Sequence, residues 1–429
     1  MKILSTTAKN LASRLNAVRR EQKASPLVER SVRRIIAKVR RSGDPALFAL
    51  TKQYDGATLK TLAVSAEEMR KAYKAESSEV IRALKAAKRN IERFQSTTFQ
   101  KKESATETQK GVTVWREFRA IERVGLYIPG GTAAYPSTVL MLAVPAKLAG
   151  CKEIILCVPP DKNGEVPSAV LVAADLCGIS KIFKVGGAQA IAAMAYGTKT
   201  IPKVSKIFGP GNQYVTTAKM LVYGTVDIDM PAGPSEVLVF ADKSADPPWV
   251  AADLLSQLEH GTDSQAILVT QSRAFADRVL KEINTQNERL PRKAIVRESL
   301  KKSFAIIADS FDVAVSFIND YAPEHLEIVL EDEQKALQAI TNAGSVFLGP
   351  YTSEPLGDYA TGANHTLPTS GYAKMFSALS VESFGKKMQI QRVTKQGIAG
   401  LKNTVETLAE REGLLAHKNA VSIRFTKNI

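Results

Sequence analysis

Four histidines stand near carboxylate or amide side chains, and their surroundings are the part of the sequence best suited to chemistry. His260 ends the segment ADLLSQLEH three residues after Gln257, so a helix would place both side chains on one face. Imidazole is a good zinc ligand, whereas Gln is an unusual one. By itself the pair fits a hydrogen-bonded helix end better than a metal site.

A second histidine directly follows a carboxylate. His325 comes after Glu324 in YAPEHLEIVL, just ahead of an apolar strand. Histidine titrates near neutral pH and can act as a general base, and an adjacent carboxylate can activate water. Surface Glu–His pairs are also common, so this pair indicates proton transfer only in company with other signals.

The other two histidines lie later in the chain. His365 lies seven residues after Asp358 in the Gly- and Thr-rich loop LGDYATGANHTLPTSG, and His417 lies five residues after Glu412 in EGLLAHKNAV. Long polar loops in an apolar framework often carry function. Asp358 is a candidate oxygen ligand, and His365 is assigned a supporting role.

Two glycine-rich segments lie near predicted strand ends. They are GLYIPGGTAAYPSTV at residues 125–139 and FGPGNQYVTTAK at residues 208–219. Glycine lets the backbone approach a ligand closely, which suits a nucleotide-binding loop. Neither segment contains GxGxxG, and that fingerprint occurs nowhere else in the sequence. Ordinary turns explain the two segments equally well at this point.

The composition is that of a globular chain of 429 residues, 45% hydrophobic and 24% charged, with room for two or three domains. Cys151, Cys157 and Cys177 form no CxxC motif and no paired framework, which suits reduced thiols in the cytoplasm. The sequence contains no run of roughly 18 apolar residues, so it predicts no membrane span. The net charge of +15 is spread over helical faces, which argues against a nucleic-acid partner.

Hydrophobic periodicity predicts a mostly helical N-terminal part and then alternating strands and helices. One helix should cover residues 26–42 and end at Gly43, and another should cover 66–94. Strands are predicted at 154–158, 181–185, 206–208, 236–241, 266–270, 305–308, 326–330 and 345–348. Helices between several of these strands predict two α/β regions with parallel, doubly wound sheets.

Taken together, seven blocks of the sequence resemble the histidinol dehydrogenase family. They are GLYIPGG, GPGNQYV, DMPAGPSEVLV, LLSQLEHG, YAPEHLE, LGDYATGANHTLP and GLLAHKNAV. The blocks run in the family's order between about residues 125 and 423. Any one of them would be a weak signal, whereas seven in register are not expected by chance.

The resemblance implies a role for particular residues. The implied catalytic pair is Glu324 and His325. The implied zinc ligands are Gln257, His260, Asp358 and His417. The implied NAD contacts are Tyr127, Gln189 and Asn212. The implied substrate contacts are Ser235, Gln257, His260, His325, Asp358, Glu412 and His417.

The resemblance also implies a fold class, α/β with two Rossmann-like doubly wound domains that are incomplete and lack GxGxxG. A main domain with the zinc and catalytic site would cover residues 25–127 and 235–380, and an inserted NAD-binding domain would cover 128–234. An N-terminal arm, 1–24, and a C-terminal dimerisation segment, 381–429, would complete the chain. These terminal segments would be swapped in a homodimer whose sites are shared between subunits.

The implied reaction is oxidation of L-histidinol to L-histidine through L-histidinal, the last step of L-histidine biosynthesis. It consumes two NAD and one water, and one Zn²⁺ per subunit would orient the substrate. Each oxidation needs a base for a hydroxyl proton, for which His325 is the candidate. Hydration of the aldehyde needs an activated water, for which Glu324 is the candidate.

Other interpretations are open to the sequence. A homologous zinc- and NAD-dependent dehydrogenase acting on another small alcohol would keep the zinc and catalytic residues, although Glu412 and Ser235 favour the cation of an amino alcohol. A zinc hydrolase is a second alternative. The sequence contains no HExxH motif, which argues against it, and a hydrolase would leave the glycine-rich segments unexplained. A basic nucleic-acid-binding protein would show salt-dependent binding to generic DNA.

Overall fold

A computed structural model describes residues 1–19, 25–97, 99–130, 134–231 and 233–426. Parts of the predicted N-terminal arm, 20–24, and of the first glycine-rich segment, 131–133, lie outside the described residues. The chain divides into two compact units. The large unit comprises Met1–Thr97 and Ile121–Phe384, and the small unit comprises Thr98–Ala120 and Gly385–Ile429. The four-segment division expected from the family stays a prediction.

Helices and strands alternate along most of the described chain. The strands are β1 (Lys2–Thr6), β2 (Thr106–Gln109), β3 (Val112–Ala120), β4 (Arg123–Tyr127), β5 (Glu153–Val158), β6 (Lys181–Lys184), β7 (Lys206–Phe208), β8 (Asp227–Ile228), β9 (Glu236–Ala241), β10 (Gln265–Thr270), β11 (Phe304–Ala308), β12 (His325–Val329), β13 (Ser345–Leu348) and β14 (Gly385–Val393). The helices are α1 (Leu11–Val18), α2 (Pro26–Ser42), α3 (Asp44–Tyr54), α4 (Ala66–Ala75), α5 (Ser78–Thr97), α6 (Pro136–Ala149), α7 (Ser168–Leu176), α8 (Gly187–Tyr196), α9 (Gln213–Val222), α10 (Pro247–Leu258), α11 (Arg273–Asn287), α12 (Lys293–Leu300), α13 (Phe311–Tyr321), α14 (Glu333–Ala339), α15 (Glu354–Tyr359), α16 (Lys395–Arg411) and α17 (Leu415–Ser422).

A six-stranded parallel sheet in the large unit has the order β1-β11-β10-β9-β12-β13. Its central strands are apolar on both sides because helices cover both faces. Val237 and Val239 of β9 join a core with α10 and α11, whereas Leu238 and Phe240 join the opposite core with α1 and α13. Strand β1 forms one edge of this sheet, although sequence analysis assigned it to a terminal arm.

A five-stranded parallel sheet in the same unit has the order β6-β5-β4-β7-β8. The chain enters at the central β4, adds β5 and β6 on one side, and crosses to β7 and β8 on the other. The six-stranded sheet repeats this order from β9, with β1 added at its edge. The predicted α/β class with parallel sheets is confirmed, and each predicted strand lies within one residue of its observed bounds.

Helix α2 shows how local signals position the packing elements. The Ser25 side chain accepts a hydrogen bond from the Val28 N–H, Pro26 occupies the first turn, and Gly43 ends the helix at a φ of 56°. The buried residues recur at helical spacing and are Val28, Val32, Ile35, Ile36 and Val39. They enter the core that α2 shares with α3, α8, α9 and the five-stranded sheet, as the periodicity predicts.

The small unit contains an antiparallel sheet of order β14-β3-β2, and its helices α16 and α17 pack on each other. Strand β14 pairs with β3 from Gly385 opposite Ala120 to Val393 opposite Val112. This sheet is not among the elements predicted from the sequence, because β14 is mostly charged and polar and its apolar residues are few. In neither unit does a described helix combine the length and apolar character that crossing a membrane requires.

Candidate active and metal site

The amino ends of β9 and β12 bring the predicted catalytic pair against the backbone of Glu236. The two strands are parallel neighbours, so the start of β9 lies beside His325 at the start of β12. The Glu236 N–H donates a hydrogen bond to Glu324 Oε2 at 2.8 Å, and the Glu236 carbonyl oxygen lies 3.1 Å from His325 Nδ1. One residue therefore orients both members of the pair through its main chain.

The side chain of Glu236 is itself held from two directions. Tyr321 donates its hydroxyl hydrogen to Glu236 Oε2 at 2.5 Å, and the Ser370 N–H donates to Oε1 at 2.5 Å. Ser370 adopts a left-handed backbone, φ 55°, which is uncommon outside glycine. Sequence analysis missed Glu236, and its position directly after Ser235 in the block DMPAGPSEVLV was the available signal.

The contact with Glu236 sets the tautomer of His325. A carbonyl oxygen can only accept, so Nδ1 carries the hydrogen and Nε2 keeps a lone pair. Nε2 is buried and has no hydrogen-bond partner among the described residues. It lies 3.8 Å from Asp358 Oδ1 and 3.9 Å from Glu354 Oε1. The free nitrogen of the imidazole is thus directed into a cluster of carboxyl groups, where it can accept a proton.

A possible metal site lies in this cluster. His260, Glu354 and Asp358 each offer a ligand atom, and these atoms lie within 4.8 Å of one another. Gln257 lies in the last turn of α10, and His260 follows the end of that helix rather than sharing a helical face with Gln257. Gln257 is 1% exposed and has a buried Oε1 with no partner among the described residues. Buried polar atoms are normally hydrogen-bonded, so an orphaned oxygen indicates a missing partner. The donor set of imidazole, carboxylate and amide oxygen fits zinc.

Sequence analysis missed Glu354, although the spacing contained a signal. Glu354 and Asp358 begin and nearly end the short helix α15, four residues apart, so they share one helical face. Glu327, two residues after His325 on the same face of β12, accepts the Glu354 N–H at 2.7 Å. Glu327 is 1% exposed and therefore anchors the start of α15 from inside the sheet.

Burial and neighbouring charges act in opposite directions on the pKa of each member of the predicted catalytic pair. Burial raises the pKa of Glu324 to about 7, against the opposing effect of the His325 charge. Burial alone would lower the pKa of His325, but the carboxyl groups of Glu324, Asp358 and Glu354 outweigh it and raise that pKa to about 10. A metal cation bound among these carboxyl groups would offset their charge and favour the neutral imidazole with its free Nε2. These shifts bring the Glu324 carboxyl into the pH range where a general base is most useful.

The candidate ligands differ in charge. Burial lowers the pKa of His260, which leaves its imidazole neutral and able to bind a metal at neutral pH. Burial and the nearby Asp358 charge raise the pKa of Glu354 to about 8. For Asp358, burial is outweighed by the adjacent imidazole of His325, 3.8 Å away, and by the charges of the surrounding histidines, and its pKa falls to about 2. Asp358 is therefore the ionised oxygen donor of the cluster.

His365 connects the cluster to the first turn of α6. Its Nδ1 lies 3.1 Å from the Asp358 carbonyl oxygen, and its Nε2 lies 3.2 Å from Thr138 Oγ1. With Nδ1 as donor to the carbonyl, Nε2 accepts from the threonine hydroxyl. Both nitrogens of His365 thus have hydrogen-bond partners, and its supporting role stays a prediction.

The three predicted NAD contacts lie at the carboxyl edge of the five-stranded sheet. Tyr127 ends β4, and its hydroxyl accepts the Gly187 N–H at 3.0 Å at the start of α8. Gln189 lies two residues later and is 2% exposed. Asn212 follows β7 and caps α9, with its Oδ1 accepting from the Tyr214 and Val215 N–H groups at 3.0 and 3.2 Å. The hydrogen bonds thus occupy the Tyr127 oxygen and one amide atom of Asn212.

The remaining predicted site residues fall in different places. Ser235 is partly exposed and directly precedes Glu236 at the amino end of β9, on the side of the catalytic pair. Glu412 and His417 belong to the small unit, where both are exposed, at the end of α16 and within α17. Their predicted cooperation with the residues of the large unit stays a prediction.

Three comparisons with known proteins agree with one another. A family model described as histidinol dehydrogenase matches residues 18–425. The histidinol dehydrogenase of Bacteroides thetaiotaomicron is 54% identical over 396 residues, 92% of this chain and 92% of the relative. That of Listeria monocytogenes is 49% identical over 429 residues, 99% of each chain. A crystal structure of histidinol dehydrogenase from Elizabethkingia anophelis, 47% identical, has a TM-score of 0.95 and covers 99% of this chain and 98% of that chain.

We propose that the cluster binds a divalent metal through His260 and Asp358, and the metal content of a variant tests this. Asp358→Asn replaces the ionised oxygen donor with a neutral amide, so zinc affinity should fall at least about tenfold, the scale seen on losing even a supporting group of a metal site. Zinc retained after dialysis measures the loss. The control is Asp320→Asn, whose half-exposed carboxylate pairs with Lys374. Equal zinc content in both variants would remove the assignment.

Proposed function

The chain belongs to the histidinol dehydrogenase family, and from that premise we propose that it oxidises L-histidinol to L-histidine with two molecules of NAD. It is an oxidoreductase of histidine biosynthesis. We propose that L-histidinal is the intermediate and that one water is consumed. The reaction would be the last step of L-histidine biosynthesis. The observation that carries it is the buried Nε2 of His325, which has no partner among the described residues and faces the carboxyl groups beside His260.

Zinc is the expected metal, one ion per subunit. Its ligands would be Gln257, His260, Asp358 and, from the second subunit, His417. The orphaned Gln257 oxygen and the neutral His260 imidazole support this set. When bound, zinc supplies a positive template that orients the imidazole and amine of the substrate. Besides the ligands, Ser235, His325 and Glu412 would contact histidinol, with the Glu412 carboxylate meeting the cation of its amino group.

In the first oxidation, His325 Nε2 accepts the proton of the substrate hydroxyl while hydride leaves the same carbon for NAD. One O–H and one C–H bond break and a C=O bond forms, so the alcohol becomes an aldehyde and NAD becomes NADH. The Glu236 carbonyl keeps the hydrogen on Nδ1 and the lone pair directed at the substrate. The new imidazolium charge is offset by Glu324 Oε2 at 3.6 Å and Asp358 Oδ1 at 3.8 Å.

The second oxidation needs water on the aldehyde carbon. Glu324 takes a proton from that water as its oxygen adds to the carbonyl, and the His325 imidazolium returns its proton to the former carbonyl oxygen. This gives the hydrate and leaves His325 neutral again. His325 then accepts a hydroxyl proton of the hydrate while hydride leaves for a second NAD, and the acid results. The Glu236 N–H holds Glu324 in place for this step, and its pKa near 7 suits it to both accept and release a proton.

The topology of the five-stranded sheet supports NAD binding without GxGxxG. Its order is that of a Rossmann-like half, and dinucleotides bind such sheets outside the carboxyl ends, where the strand order reverses. That point lies between β4 and β7. Tyr127, at the end of β4, and Asn212, just after β7, are there, and Gln189 is on the helix after β6.

We further propose a cytoplasmic homodimer with shared sites. Glu412 and His417 lie exposed in the small unit, which suits residues that serve another subunit. The exposed apolar side chains of that unit, Leu408, Leu414, Leu415, Ile423 and Phe425, are available for burial against a second copy. A twofold axis would present the same surface twice and complete two sites at once. No nucleic-acid or membrane partner is proposed.

The stoichiometry of NADH tests the function directly. Purified enzyme with limiting L-histidinol and excess NAD should form two NADH per histidinol, because both oxidations occur before release of the acid. Absorbance of NADH and quantification of histidine measure the ratio. A ratio of one with an aldehyde as product would contradict the two-step proposal.

Replacement of Glu324 should separate the two oxidations. Glu324→Gln removes the water-activating base but leaves His325, so histidinal oxidation should slow more than histidinol oxidation, by roughly 100-fold, within the range for loss of a general base. Only the ionised carboxylate activates water. With its pKa raised to about 7, the wild-type rate with histidinal should therefore fall as the pH drops below about 7.

Single-turnover rates with each substrate from pH 5.5 to 9 measure both effects. The variant should lack the acidic limb seen with histidinal. Equal losses with the two substrates, or an unchanged acidic limb, would remove the division of labour between Glu324 and His325.

Mixed dimers test the shared site. His417→Ala and His260→Ala chains, unfolded and refolded together, should regain roughly a quarter of wild-type activity with random pairing, since half of the dimers are mixed and each holds one intact site. Each variant refolded alone should stay inactive. If His417 served its own subunit, every site would be damaged and no activity would return.

A further inference from the structure

The peptide groups of Gly209 are held on both sides by a buried ion pair. The Gly209 N–H donates to Asp229 Oδ2 at 2.7 Å, and the Gly209 carbonyl oxygen accepts from Lys219 Nζ at 3.0 Å. Lys219 Nζ and Asp229 Oδ1 form an ion pair, and their side chains are 3% and 1% exposed. Lys219 lies in α9 and Asp229 directly follows β8, and both charged groups contact Gly209, the residue after β7.

The bonds around this pair are nearly complete. Asp229 Oδ1 also accepts the Met230 N–H at 2.7 Å, so both carboxylate oxygens have donors. Burying an ion pair costs desolvation energy, and apolar side chains of similar volume often give an equally stable protein. Stability alone therefore does not account for the pair. Apolar side chains could not replace the acceptor for the Gly209 N–H or the donor to the Gly209 carbonyl oxygen.

Gly209 occupies a place that no other residue could take. Its φ is +123°, and a Cβ there would lie 2.1 Å from the Tyr127 carbonyl oxygen. The backbone after β7 thus passes directly against the end of β4, at the point where the strand order reverses. The GPGN loop, Gly209–Asn212, runs from this contact to the N-terminus of α9, which Asn212 caps.

We infer that Lys219 and Asp229 are positioning residues for the dinucleotide, because they fix the GPGN loop and the start of α9 against Tyr127. Neither side chain needs to touch the cofactor, since both act through Gly209 and the loop. The inference rests on the proposed function, in which this edge of the sheet binds NAD. A loop held at Gly209 presents Asn212 and the α9 N-terminus in one geometry, so less ordering remains to be done on binding.

The test removes both charges at nearly constant volume. In the double variant Lys219→Met/Asp229→Asn, the Gly209 carbonyl loses its donor, and the KM for NAD should rise roughly 10- to 100-fold, the scale of an ångström-sized misplacement. The KM for histidinol, zinc content and thermal midpoint should stay close to wild type. NADH affinity, followed by NADH fluorescence without substrate, should fall in parallel.

A neighbouring ion pair provides the control. Lys206 Nζ and Asp227 Oδ2 lie 2.9 Å apart on β7 and β8, with the Asp227 side chain 50% exposed. The double variant Lys206→Met/Asp227→Asn should leave the KM for NAD within about twofold of wild type. If the first double variant does not fold, Lys219→Met alone makes the comparison, since Asp229 then keeps two backbone N–H donors.

The outcomes separate this inference from the proposed function. If the wild-type enzyme neither binds NADH nor turns over histidinol with NAD, both the proposed function and the positioning role are contradicted. Wild-type enzyme that uses NAD, with a folded double variant whose KM for NAD is unchanged, would overturn the positioning role alone. An equal rise of both KM values would indicate general damage and would also overturn it. A selective rise for NAD, absent from the Lys206/Asp227 control, supports it.

Discussion

The pairing of β9 with β12 is the contact on which the catalytic pair depends. Parallel registration sets the main chain of Glu236 beside His325, and its N–H and carbonyl groups then serve Glu324 and His325 together. Backbone groups of a central strand are among the most rigid in a protein. The tautomer of the imidazole and the direction of its lone pair therefore follow from strand register rather than from a neighbouring side chain.

That register also concentrates carboxyl groups where water is excluded. Glu324, Glu327 and Glu354 are all nearly inaccessible, and burial raises the pKa of each. Buried carboxylates persist only when donors or cations meet them. Main-chain N–H groups of Glu236 and Glu354 supply some of these donors, and the orphaned oxygens of Gln257 and Glu354 indicate where a metal cation would supply more.

The two sheets share a strand order, but their predicted functional residues lie at opposite edges of the strands. In the five-stranded sheet the predicted cofactor residues Tyr127 and Asn212 lie at the carboxyl edge, as is usual for nucleotide binding. In the six-stranded sheet the predicted catalytic pair lies at the amino edge. His365 contacts both regions, through the Asp358 carbonyl oxygen and through Thr138 in the first turn of α6. This imidazole links the candidate metal cluster to the helix that follows β4.

The sequence by itself determined eight of the strands, the limits of α2 at Pro26 and Gly43, and the polar blocks that contain the histidines, because periodicity, helix stops and motif spacing are local properties. The central β4 and the edge strand β1 were not predicted. Only the tertiary structure decided which carboxyl groups join the histidines. Glu236 and Glu327 lie in apolar strands, and the groups that hold their carboxylates come from distant segments of the chain. The pairing of β3 with β14 was equally hidden, since two strands far apart in sequence meet only in the folded chain. Burial, and with it every shifted pKa in the site, arises from contacts between segments that the linear pattern does not connect.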